Sequence, residues 1–179
     1  MSEYEGGWGT RRRRRSPYAV AAVLAMVMFM VIAPEINEGN AMDPTIKDGQ
    51  FLVVSKSSYS IKRKVPKQGR VVILKKTLSR EISDDNVIAR VIGTDGDRVV
   101  IKDGKVTVNG EEYVAPGSIR GASGNIDVTL EGNEVFLLCD NRKEKMDSRN
   151  PKLGTVDMRQ IKGNVLLKIW PLSNFGKVK

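Results

Sequence analysis

The chain has 179 residues, 30 Lys+Arg against 21 Asp+Glu for a formal charge of +9, a single cysteine and no histidine. The missing histidine excludes Ser-His-Asp and Cys-His catalysis and imidazole-ligated metals, and the lone Cys139 excludes an internal disulfide. No cofactor or metal is expected, and the length suits one globular domain with a terminal segment.

Residues 1–16 are rich in glycine and arginine, carry no apolar pattern and are expected to form a disordered, basic, cytoplasmic tail. Residues 17–36 are expected to form a transmembrane signal anchor. Tyr18 to Ala33 is almost unbroken Ala, Val, Leu, Met, Phe and Ile, closed by Pro34, and is slightly shorter than the roughly 20 residues of a typical spanning helix. Glu35 and Glu38 would mark the exit into water. The run Arg11–Arg15 before the apolar segment places the N-terminus in the cytoplasm and residues 37–179 outside, on a single-pass topology. A cleaved secretory signal is the competing reading, since Gly39-Asn40-Ala41 offers small residues. That tripeptide lies far from the apolar run, however. The positive charge suits membrane lipid or an anionic wall polymer as partner. Nucleic acid is not expected, because the basic residues are scattered and the chain is tethered.

Beyond residue 50 the patterns are those of strands. Phe51–Val54 and Val71–Leu74 are short apolar runs, and Val87–Ile92 is rich in β-branched residues. Arg98–Lys102 and Lys105–Val108 flank Asp103-Gly104, a two-residue hairpin signal, and Asn109-Gly110 marks another turn. Val135–Leu138 and Val165–Trp170 are further buried-strand candidates, and Ala115–Gly124 reads as a loop. No long helical period follows residue 45. The expected fold is mainly β, a sandwich- or barrel-like domain behind one N-terminal helix.

Four segments carry a family resemblance. Gly39-Asn40-Ala41-Met42-Asp43-Pro44-Thr45 resembles a nucleophile box that usually reads Ser-Met-x-Pro-Thr. Gln68-Gly69-Arg70-Val71-Val72 resembles Arg-Gly-Asp-Val-Val, and Ala89-Arg90-Val91-Ile92-Gly93 resembles Lys-Arg-Val-Ile-Gly. Cys139-Asp140-Asn141-Arg142 with Asp147-Ser148-Arg149 resembles Gly-Asp-Asn-Arg-x-x-Ser-x-Asp-Ser-Arg. In this order, behind an anchor, they identify the chain as similar to the type I signal peptidases. These are membrane proteases with a Ser/Lys dyad, so residues 37–179 are expected to be a signal-peptidase-like β-rich domain.

The resemblance implies that the serine position is Ala41 and the lysine position Ala89. A serine hydroxyl needs a base to become nucleophilic, and lysine is a base only where an apolar setting keeps it neutral. Alternation puts Val87, Ala89 and Val91 on one strand face and Ile88, Arg90 and Ile92 on the other. Neither alanine can perform the chemistry, so no catalytic residue is intact. The backbone N–H of Ala41, which in the family helps hold the carbonyl oxygen, survives the change.

Gly39, Asn40, Ala41, Met42 and Pro44 are the substrate-groove candidates. Lys145 stands where the family has a serine beside its lysine. It is either a relocated base entering the space at Ala89 or a solvent-facing residue of a drifted site. Asp140, Asn141, Arg142, Asp147, Ser148 and Arg149 are expected to be structural, with the two aspartates and two arginines in a charge-paired network. Cys139 is expected to be a small buried side chain.

The resemblance therefore implies a non-catalytic homologue that binds exported or surface-protein precursors. Dyad-less Gram-positive members of the family are associated with pilus assembly, which makes a pilin-like partner one expectation. The alternative is an active signal peptidase I. Deliberate replacement of both residues is a further reading, against which Arg70, Cys139 and Lys145 argue as independent departures.

Overall fold

A computed structural model of the chain describes residues 16–56, 65–75, 86–116 and 121–178. The basic run Arg11–Arg15 and the rest of the expected tail before Ser16 lie outside the described residues, as do residues 117–120 of the expected loop.

Helix α1 spans Pro17–Val31. Its first residue is proline, which costs nothing where the backbone N–H has no helical acceptor. Its 15 residues extend about 22 Å at 1.5 Å per residue, short of a hydrocarbon core of about 30 Å. Among the described residues no helix is long and apolar enough to cross a membrane. The segment expected to be helical through residue 36 instead becomes strand β1, Ile32–Ile36. Pro34 is the cause. It cannot continue a helix, and it pushes Ala33 into the extended region. β1 lies at the edge of its sheet, where a residue lacking an N–H is tolerated.

The following strands are β2 (Phe51–Ser55), β3 (Val71–Leu74), β4 (Ile88–Gly93), β5 (Arg98–Lys102), β6 (Lys105–Val108) and β7 (Glu111–Glu112). After them come β8 (Ile126–Thr129), β9 (Glu134–Leu138), β10 (Val156–Asp157), β11 (Ile161–Trp170) and β12 (Gly176–Lys177). The larger sheet runs β1-β2-β11-β3-β4-β9-β10, with β12 also on β11; the smaller runs β7-β6-β5-β8. All pairings are antiparallel. The mainly β expectation holds. The β5–β6 hairpin turns through Asp103 and Gly104, both at positive φ (51° and 77°), and Asn109 and Gly110 do the same before β7 (54° and 88°).

Strand β4 organises the core. Val87, Ala89 and Val91 enter one apolar cluster with Val72, Leu137, Leu153 and Met158. On the opposite face Ile88 joins Met42, Ile46, Leu52 and Val54, while Ile92 joins Val99, Ile101, Phe136 and Leu138 between the sheets. β11 serves two partners, β3 through Ile161–Asn164 and β2 through Asn164–Trp170. A Cβ on Gly163 would stand 2.1 Å from the Ser55 carbonyl oxygen, so only glycine fits that crossing.

Candidate active site

Ala41 sits half-buried in a turn closed by the Asp43 N–H donating to the Asn40 carbonyl at 3.1 Å. The chain enters this turn through buried Asn37, whose side-chain amide donates to the carbonyls of Gly39 (3.1 Å) and Lys47 (2.9 Å). The Gly39 N–H donates to Asp48 Oδ1 at 2.8 Å, and Lys168 Nζ reaches the Thr45 carbonyl at 2.9 Å. Five backbone or side-chain ties therefore hold this short segment in one shape.

The turn is also bound to the last box. The Asn141 N–H donates to the Ala41 carbonyl at 3.0 Å, and Asn141 Nδ2 to the Asn40 carbonyl at 3.0 Å. Asp140, beside it, accepts from Thr45 Oγ1 (2.6 Å), Arg90 Nε (2.8 Å) and Arg90 Nη2 (2.5 Å). Arg90 Nη1 donates to the Gly69 carbonyl at 2.7 Å. One buried carboxylate and one buried guanidinium thus join all four sequence boxes. Ala89 is the neighbour of Arg90, and the Ala41 carbonyl rests on the neighbour of Asp140. Among the described residues no acceptor takes the Ala41 N–H, which leaves that donor available to a carbonyl oxygen.

Neither alanine position offers chemistry. Ala89 has no exposed surface and lies in the apolar cluster opposite Val72. Met146, partly buried, packs against this same cluster. Lys145 is exposed, as its solvent-facing reading has it, and Met146 is the neighbour that packs against the cluster containing Ala89. The relocated-base reading fails on that geometry. Lys145 is exposed, Met146 is half-buried and Asp147 is fully buried.

Other expectations are refined. Met42, counted with the groove, is fully buried against Ile46 and Ile88. The charge network is divided. Asp147 pairs with Arg149 (2.7 Å) and accepts from the Cys139 N–H (2.9 Å), whereas Asp140 pairs with Arg90, a residue outside the last box. Arg149 also donates to the carbonyls of Arg142 (2.7 Å) and Glu144. Arg142 joins no ion pair among the described residues, and its buried Nη1 has no hydrogen-bond partner. Burial, reinforced by the repulsion of Arg149, lowers its pKa below the ordinary guanidinium value. Ser148 is structural, exchanging bonds with Leu137 through its Oγ (2.9 Å) and its N–H (3.0 Å). Cys139 is buried, and burial with the nearby Asp147 pushes its thiol far above the ordinary value.

A groove of about 350 Å³ opens where β1 leads toward the turn, walled by Pro34, Glu35, Ile36, Glu38, Phe51 and Asn86. Asn86 Oδ1 is buried there without a donor. None of these six side chains was singled out as a groove wall from sequence. The only signal was position, since Glu38 precedes the nucleophile box and Asn86 precedes the lysine box.

A sequence profile described as "Signal peptidase, peptidase S26" matches residues 14–170. The chain belongs to the signal peptidase family, peptidase S26. Signal peptidase I of Bacillus caldolyticus is 34% identical over 181 residues, covering 92% of this chain and 94% of that protein. Signal peptidase IB of Staphylococcus aureus (strain N315) is 29% identical over 178 residues, covering 86% and 88%. A solved signal peptidase I from Enterococcus faecalis V583 overlays with a TM-score of 0.45 at 19% identity, covering 56% of this chain and 97% of that one.

Proposed function

We propose that this chain recognises the signal peptides of exported precursors at a membrane surface and does not itself hydrolyse them. The single observation that carries the reading is the pair Ala41 and Ala89, set in an otherwise ordered family site. No hydroxyl stands at position 41, and no amine stands at position 89 in the apolar cluster. The groove beside the edge strand β1 supports recognition. An extended peptide can add to a free sheet edge through main-chain hydrogen bonds, Asn86 Oδ1 offers an unused acceptor, and the Ala41 N–H is an unused donor.

Membrane lipid is the second partner. Ile36, Phe51 and Trp170 stand in one register row across β1, β2 and β11, and all are exposed. Leu172 and Phe175, which follow Trp170, are also exposed, while α1, with exposed Val20, Val23, Leu24 and Met26, joins β1 at Ile32, the opposite end of that strand from Ile36. Aromatic and aliphatic side chains grouped this way suit the interfacial region of a bilayer.

The comparisons favour the second reading, an active signal peptidase I, because relatives matched along most of their length carry that name. They lend no support to a pilus-assembly role, which rests on the missing dyad alone. The two readings separate in one experiment. The purified full chain is mixed in detergent with a labelled signal peptide bearing small residues before its cleavage point. Anisotropy that rises and saturates without a new fragment in mass spectrometry supports recognition alone. A fragment cut after the small residues establishes the protease, and absence of both binding and product removes both readings.

A further inference from the structure

A second cavity lies between the smaller sheet and the last box. We propose that this cavity, walled by Arg142, Tyr113 and Lys105, is a binding site for a monoanionic carboxylate. It measures about 370 Å³ and shares no wall residue with the groove beside β1. Occupancy of this cavity is therefore independent of whether the chain cleaves peptides.

The decisive group is Arg142. It is 6% exposed, its Nη1 has no partner, and it lines this cavity. The two buried carboxylates nearest in sequence are committed elsewhere, Asp140 to Arg90 and Asp147 to Arg149. Both lie near enough to act on Arg142 electrostatically, yet neither accepts from its Nη1; a buried N–H without an acceptor is costly, and a planar guanidinium is most effectively satisfied by a carboxylate taken two oxygens at a time. Tyr113, half-buried on the same wall, adds a hydroxyl donor. Its desolvation raises its pKa and keeps that proton in place at neutral pH.

The remaining walls set the class of anion. Val106, Val114 and Ala122 make part of the cavity apolar, which suits a short hydrocarbon body behind the charge. Asp103 and Glu112 also line it and are exposed. Against Lys105 and Arg142 they leave the lining neutral, so a dianion such as phosphate gains no net attraction to offset the desolvation of its second charge. The shared chemistry is a carboxylate on a small apolar body, from a free short-chain acid or from the C-terminus of a polypeptide.

The test uses the uniformly ¹⁵N-labelled full chain in detergent micelles, following the Arg142 Nε–H resonance. The probes are butyrate, acetyl-Ala-Ala with a free C-terminus, the same peptide as its amide, and inorganic phosphate, all at matched ionic strength. Butyrate and the free-acid peptide are expected to move the resonance saturably at millimolar concentration, and the amide and phosphate are not. Tighter binding of the peptide assigns the polypeptide end as the source, and equal or tighter binding of butyrate assigns the free acid. Arg142→Gln should weaken binding at least about tenfold, the loss of one charge-assisted contact; its binding is read from the Tyr113 amide. Val114 is half-exposed, so Val114→Trp fills the cavity without disturbing the core and should weaken binding as much at an unchanged melting temperature. The absence of a saturable shift, an equal response to the amide or phosphate, or full binding by Val114→Trp overturns the proposal.

Discussion

Arg90 on β4 grips both carboxylate oxygens of Asp140, and neither side chain has any exposed surface. The pair ties the strand carrying Ala89 to the segment that supports Ala41. Removing one charge leaves the other buried and uncompensated, which typically costs about 3–5 kcal/mol. Asp140→Asn is therefore expected to lose about that much stability in urea unfolding. The paired change Arg90→Met with Asp140→Leu should lose less than Asp140→Asn, because it leaves no stranded ion. Equal losses would mean that the pair acts only through shape.

The dyad can be rebuilt, at a cost set by the cluster around residue 89. Ala89→Lys puts an amine among Val72, Val87, Val91 and Leu137, with Met146 packed against them. Burial disfavours its charged form by several pKa units, and stability should fall by roughly 4 kcal/mol or more. Ala41→Ser alone should yield no product, since its hydroxyl has no base. The double variant should cleave a signal peptide, and adding Met146→Ala should raise its rate by making room for the amine. Product from the unmodified chain would overturn the recognition-only reading.

Cys139 makes stability sensitive to alkali. In the unfolded chain its thiol ionises near pH 8.5, whereas burial raises the folded value well above that. The folded state therefore keeps a proton that the unfolded state sheds. The contribution is complete below about pH 8.5 and declines as pH rises, by at most about 1.4 kcal/mol per pH unit. Above about pH 10, the ordinary tyrosine value, buried Tyr113 adds in the same direction. Cys139→Ala should flatten the unfolding free energy between about pH 8.5 and 10. A slope unchanged by that substitution would locate the sensitivity elsewhere.

Gly163→Ala tests the crossing of β11 over β2. The new methyl would meet the Ser55 carbonyl at 2.1 Å and the Val54 side chain at 2.9 Å. Backbone must move, so a loss of about 2–3 kcal/mol is expected in thermal or urea unfolding. Gly176 has nothing within 4 Å of such a methyl, so Gly176→Ala serves as the near-neutral control.

What sequence alone determined about this protein was local or carried by the boxes. β-branched runs and Asp-Gly or Asn-Gly turns located β3, β5 and β6 to the residue, because strand pattern and positive-φ turns depend on neighbours in the chain. The order of the four boxes identified the family, and Ala41 with Ala89 raised the expectation of a missing dyad. Position in space was decided only by the tertiary structure. Pro34 turned the end of the apolar segment into an edge strand. Arg90 took Asp140 from the expected network, and Arg142 at a cavity wall kept an Nη1 without an acceptor. Met146 packed against the cluster of Ala89 while Lys145 stayed exposed. Each of these outcomes depends on which of two adjacent side chains faces inward, or on which of several like charges stands closest. Long-range packing sets both, since desolvation rewards only the pair that becomes buried together.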